Sequence, residues 1–268
     1  MPLRLNPTFR AALAASDRPL AGIWVCTGSP LVAEICAGSG LDWTLIDMEH
    51  APHSLESVLA QLQAVAAYPI TPVVRVPSND AVVIKQVLDL GAQNILVPMV
   101  SSAADAESAV SAVRYPPRGR RGVGSALGRS ARWNRVDGYL ADADAHVSLI
   151  VQVETAAGVD AAGEIAAVDG VDGVFVGPSD LAASLGVLGQ QTHPDVIAAV
   201  HRTFEAVRGE GKPVGVNAFD PEAAQSYLEA GASFVLVAAD VSILARSSEA
   251  LAARWSPAAI AETERASY

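Results

Sequence analysis

Lysine is almost absent from this 268-residue chain, occurring only as Lys85 and Lys212. Lys85 falls inside an expected helix and Lys212 just before an expected strand, so neither is placed to form a Schiff base, which needs a desolvated amine at a catalytic mouth. Cysteine is equally scarce, and the spacing of Cys26 and Cys36 fits neither a paired redox motif nor a metal knuckle. Buried free thiols are expected instead. No apolar run approaches the roughly 20 residues that span a bilayer, and the first residues lack the compact apolar core of an export signal. A cytoplasmic protein with no membrane partner is expected. A formal net charge of −11 repels phosphate backbones, so nucleic acid is not an expected partner either.

What the chain has is apolar material, 51% of residues against 18% charged, enough for a large core. Eight short apolar runs recur: Ile23–Cys26, Trp43–Ile46, Val73–Val76, Ile95–Val100, Val147–Val153, Gly173–Val176, Val214–Val216 and Phe234–Val237. Near-continuous apolar strands, rather than alternating ones, suit a parallel sheet covered on both faces. Between them, Ser54–Ala67, Asp80–Leu90, Ala103–Val113, Pro194–Arg208, Pro221–Glu229 and Val241–Arg254 carry apolar residues at helical spacing. Ser54, Asn79 and Asp220 can cap helix starts, Pro221 suits a first helical position, and Gly91 and Gly231 suit exits. No linker divides the chain. The expected architecture is an α/β fold, a (β/α)8 TIM barrel forming one domain over residues 1–268, in keeping with the roughly 250 residues typical of such barrels.

Polar residues collect at the ends of these runs. Asp47, Glu49 and His50 follow the second, Arg75 lies in the third, Gln152 and Glu154 close the fifth, and Asp180 follows the sixth. In a barrel, side chains at the carboxyl ends of the strands share one mouth, so residues far apart in sequence can meet there. Gln152 and Glu154 fall on one strand face by the period of two. With Asp180 from the next strand they offer one carboxylate each, a set that suits a hard divalent cation, Mg2+, Mn2+ or Co2+, keeping water and substrate oxygens as further ligands. The plain alternatives are a helix cap for Asp180 and a solvated strand-end charge for Glu154.

His50, beside Asp47, is placed to act as a general base, since an imidazole titrates near neutrality. His53 lies deeper in the loop, and His146, His193 and His201 are away from any strand's carboxyl end. Arg75 inside an apolar strand requires an anionic partner, either a neighbouring strand-end carboxylate or an oxyanion developing in a reaction. The turns after strands seven and eight, Asn217-Ala218-Phe219-Asp220 and Ala238-Ala239-Asp240, lack the glycines that let a backbone wrap a phosphate, which disfavours a phosphorylated substrate. One long connection, Tyr115 to Ala145, carries Arg118, Arg120, Arg121, Arg129, Arg132 and Arg135. These can bind a substrate carboxylate or pair with acidic groups across a subunit interface.

The segments Leu45-Ile46-Asp47-Met48-Glu49-His50-Ala51-Pro52, Pro72-Val73-Val74-Arg75, Leu96-Val97-Pro98-Met99-Val100, Tyr115-Pro116-Pro117-Arg118-Gly119, Gln152-Val153-Glu154-Thr155 and Gly173-Val174-Phe175-Val176-Gly177-Pro178-Ser179-Asp180-Leu181 together resemble the metal-dependent 2-oxo acid aldolases of the HpcH/HpaI type. That group includes the 4-hydroxy-2-oxoheptanedioate and 2-dehydro-3-deoxyglucarate aldolases, and the resemblance spans nearly the whole chain. It implies Glu154 and Asp180 as metal ligands, Gln152, Ser179 and Asp180 at the substrate, His50 as base, Arg75 as transition-state stabiliser and Asp47 as a supporting residue. It also implies that Asp89 raises the basicity of the histidine. Position alone puts Asp89 at a helix end far from the mouth, where a surface carboxylate is the competing reading. Ser179 is similar to the sugar-acid branch, other members having Ala there. Relatives form hexamers through their C-terminal helices, implying a homohexamer in which Val241–Arg254 exchanges between subunits. The implied activity is aldol cleavage of 4-hydroxy-2-oxo acids to pyruvate, or hydroxypyruvate, and an aldehyde. Two alternatives use the same enolate, oxaloacetate decarboxylation and acyl-CoA lysis; a third is a non-catalytic 2-oxo acid binder.

Overall fold

The computed structural model describes residues 3–256, so the expected domain span of 1–268 runs past the described residues at both ends. The strands are β1 (Leu20–Val25), β2 (Trp43–Asp47), β3 (Thr71–Arg75), β4 (Asn94–Val97), β5 (Ser148–Val153), β6 (Gly173–Val176), β7 (Val214–Asn217) and β8 (Phe234–Ala239). Each pairs in parallel with the next, and β8 returns to β1, closing the barrel. The (β/α)8 architecture expected from the run pattern is the one observed. No helix among the described residues is long and apolar enough to cross a membrane.

Alternation along the strands sorts side chains into two cores. Ile46, Val74, Ile95, Val97, Val151, Val153, Val174, Val176, Val214 and Val216 face outward into the helical layer. Trp43, Leu45, Val73, Leu96, Ile150, Phe175, Phe234 and Leu236 face the barrel axis. Because the period is two, the inward rows continue from Leu45 to Asp47, from Val73 to Arg75, and from Ile150 through Gln152 to Glu154. The barrel interior is therefore apolar at its amino end and polar at its carboxyl end.

The amino end is sealed. The helix Phe9–Ala15 inserts the fully buried Phe9 against Trp43 and Phe234, with ring centroids 5.1 and 5.2 Å apart. These rings fill the space beside two glycines: a Cβ on Gly22 would lie 2.4 Å from the Trp43 ring, and one on Gly215 would lie 2.3 Å from that of Phe234.

Several local expectations need correction. Asp80, not Asn79, caps the helix Ala81–Asp89, accepting from the amides of Val82 and Val83 at 2.7 and 3.1 Å. Asn79 instead donates to the Asp105 carbonyl at 2.8 Å. Strand β4 stops at Val97 rather than Val100, since Pro98 has no N–H to give and Met99 adopts φ +56°. The helices Phe9–Ala15, Ala156–Asp160 and Ala162–Ala167 have no counterpart among the expected helical stretches, since short, alanine-rich segments carry little amphipathic signal; the helix near Asp180 starts at Pro178, so Asp180 lies in its first turn rather than capping it. The exits at Gly91 and Gly231 are as expected, with φ +93° and +105°.

Candidate active site

At the carboxyl end of the barrel a cleft of about 540 Å³ is lined by Asp47, His50, Arg75, Gln152, Ser179 and Asp180, among others. Six of the residues proposed from sequence therefore converge on one space. Glu154 lies directly beneath it, 2% exposed, beside Gln152 and Gly177. Asp89 is elsewhere: it ends its helix half-buried, 3.5 Å from the guanidinium of the buried Arg121, and is not part of the cleft of its own chain.

Arg75, 2% exposed, holds this floor together. Its Nε and Nη2 each donate to Asp47 at 2.8 Å, and Nη1 lies 3.4 Å from Gln152 Oε1 and 2.9 Å from Glu49 Oε2. The indole of Trp24 stacks on the guanidinium at 4.5 Å. The anionic partner that an apolar strand demands is thus Asp47, reinforced by Glu49. Burial opposes charge on Arg75, but hydrogen bonds and attraction from Asp47, then Glu49 and Glu154, raise its pKa above the ordinary value. Burial likewise opposes charge on Asp47, and the bonds from Arg75 overcome it, holding the carboxyl below the usual range.

Asp47 also shapes the turn beyond β2. Its oxygens accept from the amides of Glu49 at 3.0 Å and His50 at 3.4 Å. His53 bonds to the Asp47 carbonyl through Nδ1, and its Nε2 lies 3.3 Å from Gln61 Oε1, so His53 is a brace behind the turn. His50 is left at the rim with its side chain 64% exposed, Nε2 3.9 Å from Glu49.

Glu154 accepts the Met99 amide at 2.6 Å on Oε1 and the Gln152 amide on Oε2. The left-handed turn at Met99 is what aims that amide inward. Burial pushes the Glu154 carboxyl up to about 7, opposed by these two bonds and assisted by the charges of Glu49 and Asp180. Glu49 is also raised, first by burial, with Asp47 and Asp180 adding to the effect against Arg75. Glu49 Oε2 is buried without a hydrogen bond although Arg75 is close.

Asp47, Glu49 and Glu154 thus gather around one guanidinium, and the charge of Asp180 acts on Glu49 and Glu154. This surplus of negative charge over one arginine fits a divalent cation. Gly177 keeps the space open, since a Cβ there would lie 3.0 Å from Glu154 Oε2 and 3.2 Å from Gln152 Nε2. Among the described residues no three His, Cys, Asp or Glu side chains are grouped to hold a metal ion. A cation at Glu154 and Asp180 would therefore keep positions for water and substrate.

Neither lysine lies in the cleft: Lys212 Nζ donates to the Val171 carbonyl at 2.7 Å, and Lys85 abuts Gly122. Of the loop arginines, Arg118 pairs with Asp144 at 2.7 Å and Arg121 with Asp89, both within the chain. Sequence reasoning gave no role to Trp24, Met99, Gly177 or Asn217. Trp24 and Asn217 follow inward-facing Gly22 and Gly215 by two residues, so the strand period alone could have placed them.

Comparison with known proteins agrees with this geometry. A profile of the HpcH/HpaI aldolase/citrate lyase family matches residues 20–247. The chain is 51% identical over 266 residues to a hydroxypyruvate/pyruvate aldolase from Deinococcus radiodurans, covering 98% of this chain and 96% of that one. It is 50% identical over 257 residues to a 4-hydroxy-2-oxo-heptane-1,7-dioate aldolase from Escherichia coli, covering 96% and 98%. The crystal structure of a family protein from Burkholderia cenocepacia superposes with a TM-score of 0.88 at 44% identity, covering 91% and 97%. A closed (β/α)8 barrel with a carboxylate-rich mouth defines the class, and the chain belongs to the HpcH/HpaI aldolase/citrate lyase family.

Proposed function

We propose that the protein is a carbon–carbon lyase that cleaves 4-hydroxy-2-oxo acids to pyruvate or hydroxypyruvate and an aldehyde, and joins them in reverse. The observation that carries this reading is the cleft itself, where Arg75, held charged by Asp47, lines one space with His50, Gln152 and Asp180, and the buried Glu154 bonds to Gln152 just behind that wall. The names of the similar aldolases support the same donor chemistry.

Glu154 and Asp180 would hold a divalent ion, Mg2+, Mn2+ or Co2+, which when bound supplies Lewis-acid polarisation of a 2-oxo acid. Gln152 and Ser179 position the donor beside them. In cleavage, His50 takes the proton of the C4 hydroxyl, the C3–C4 bond breaks, and C4 leaves as an aldehyde. The electron pair of that bond becomes the enolate of the donor, whose oxygen is stabilised by Arg75. His50, directly or through water, then returns the proton to C3, which yields the 2-oxo acid. Asp47 serves by fixing Arg75 and the turn that carries His50. Among the described residues Arg75, paired with Asp47 and Glu49, is the one arginine or lysine lining the cleft, and these residues form no large basic groove of the kind a coenzyme A ester needs.

The assembly we infer is a homohexamer with exchanged C-terminal helices. The helix Asp240–Trp255 buries only Asp240 and exposes Val241, Ile243, Leu244 and Leu251, while Leu31 and Ile35 of the helix Pro30–Ala37 are also exposed. An effect of Asp89 on His50 would then act across a subunit boundary. Release of pyruvate from a 4-hydroxy-2-oxo acid tests the activity: it should require added divalent metal and fall about 10²- to 10⁴-fold in His50→Ala. Undiminished turnover after exhaustive chelation, or in that variant, contradicts the mechanism.

A further inference from the structure

We propose that Ser101 and Thr155 are positioning residues for Glu154: the hydrogen bond between their hydroxyls locks the left-handed turn at Met99, and that turn fixes which oxygen of Glu154 is turned to the cleft. The inference rests on the aldolase reading, in which Glu154 holds the divalent ion, and adds to it the device that keeps this ligand in place.

The turn after β4 is an unfavourable piece of backbone. Pro98 supplies no N–H, and Met99 takes φ +56°, a region that a long side chain rarely adopts unless its surroundings hold it there. The Met99 side chain is 57% exposed, so its packing is not what holds the turn. What the conformation delivers is the amide, 2.6 Å from Glu154 Oε1. With Oε1 engaged in this way, Oε2 is the oxygen beside Gly177, which lines the cleft.

The restraint comes from the two residues that follow Met99. The Val100 amide donates to the Gln152 carbonyl at 3.0 Å, which ties the turn to β5. The Ser101 amide donates to Asp105 Oδ2 at 3.1 Å, and the hydroxyls of Ser101 and Thr155 are hydrogen-bonded to each other at 2.7 Å. Thr155 is itself fixed, since its Oγ1 accepts the Gly158 amide at 3.0 Å and caps the helix Ala156–Asp160. Gly158 allows the close approach: a Cβ there would lie 3.0 Å from the Val100 carbonyl oxygen and 3.2 Å from Thr155 Oγ1. Glu154 and Thr155 are consecutive, and Met99 and Ser101 are two apart, so the same two segments are joined twice. One link is amide to carboxylate, the other hydroxyl to hydroxyl, and the second holds the geometry of the first. Neither Ser101 nor Thr155 is among the described residues lining the cleft, so the pair acts through Glu154 and not on substrate.

Calorimetric titration of the chelated full chain with Mn2+ tests this, together with exchange of pyruvate methyl protons at saturating Mn2+. Ser101→Ala leaves the Thr155 helix cap intact and should weaken Mn2+ binding about tenfold or more, as loss of groups that orient a metal ligand does. Thr155→Val should weaken it likewise, and Thr155→Ser should restore wild-type affinity. The double variant should bind little worse than the weaker single one, because both changes remove one bond. Saturating Mn2+ should return most of the wild-type exchange rate to Ser101→Ala. Thr8→Ala, which removes a helix-capping hydroxyl at the amino end, should bind Mn2+ as the wild type does. Wild-type affinity in both Ser101→Ala and Thr155→Val overturns the inference, and so does an equal loss in Thr8→Ala, which would mark the effect as general loosening. Glu154→Gln separates the two levels. Lost binding there with binding kept in the hydroxyl variants sinks this inference alone, whereas wild-type binding in Glu154→Gln sinks the metal site of the aldolase reading beneath it.

Discussion

Arg75 and Asp47 lie opposite each other in the β2–β3 register and form a two-point pair, Nε to Oδ1 and Nη2 to Oδ2, each at 2.8 Å. The same carboxylate caps the turn that presents His50, so one buried ion pair links Arg75 to His50. Removing one partner of a buried pair leaves the other charge unsatisfied. Asp47→Ala should lose about 3 to 5 kcal/mol of stability, read by denaturant unfolding. Arg75→Lys keeps the charge but loses the fork, and should lower kcat about 10²- to 10³-fold with the fold intact. Near-normal kcat in that variant would show that guanidinium geometry is not used in the reaction.

Glu154 predicts an unusual pH dependence for the metal-free protein. Its carboxyl ordinarily titrates near 4.5 and is pushed up to about 7 by burial, so between those values the folded form binds more protons than the unfolded chain. Stability should therefore be greatest below about 4.5 as far as this group is concerned, and fall as pH rises toward 7, by about 3 kcal/mol at roughly 1.4 kcal/mol per pH unit. Unfolding of chelated wild type and Glu154→Gln across this range checks it. The wild type should lose stability relative to the variant as pH rises, and parallel curves would contradict the assignment.

Gly177→Ala should weaken metal binding while leaving the fold in place. The glycine has φ −102°, which alanine tolerates, but the added methyl would press on Glu154 Oε2 and Gln152 Nε2. Displacing groups that orient a metal ligand typically costs about 10- to 100-fold in affinity. Calorimetric titration with Mn2+ reads this directly, and unchanged affinity would place the ion elsewhere.

Cys26 borders the cleft yet should be inert. Burial, and then the charges of Asp47 and Asp240, push its thiol up to about 12, so almost no thiolate exists at pH 8. Iodoacetamide at pH 8 should label it far more slowly than a free thiol in solution, with activity retained. Rapid labelling would mean that the β1 end opens in solution.

The barrel was legible because eight apolar runs separated by capped helical stretches leave few other architectures. The site was legible where charge interrupts an apolar strand, as at Arg75, or where polar residues repeat with the strand period, as at Gln152 and Glu154. Roles that depend on close approach were not. Met99 acts through its backbone amide, Gly177 through the absence of a side chain, and Trp24 through stacking on a residue 51 positions away. Asp89 shows the opposite case: a residue placed by resemblance whose own chain keeps it against Arg121 and outside the cleft.

The most direct measurement of the central claim is the donor half-reaction. Proton NMR of pyruvate in deuterated water, with no aldehyde present, follows loss of the methyl signal as the enolate forms and is quenched by deuterium. Metal-loaded wild type should exchange these protons, and both chelation and His50→Ala should slow the exchange at least about 100-fold. Exchange at the wild-type rate in the metal-free protein or in His50→Ala would contradict a metal-assisted enolate with His50 as its base.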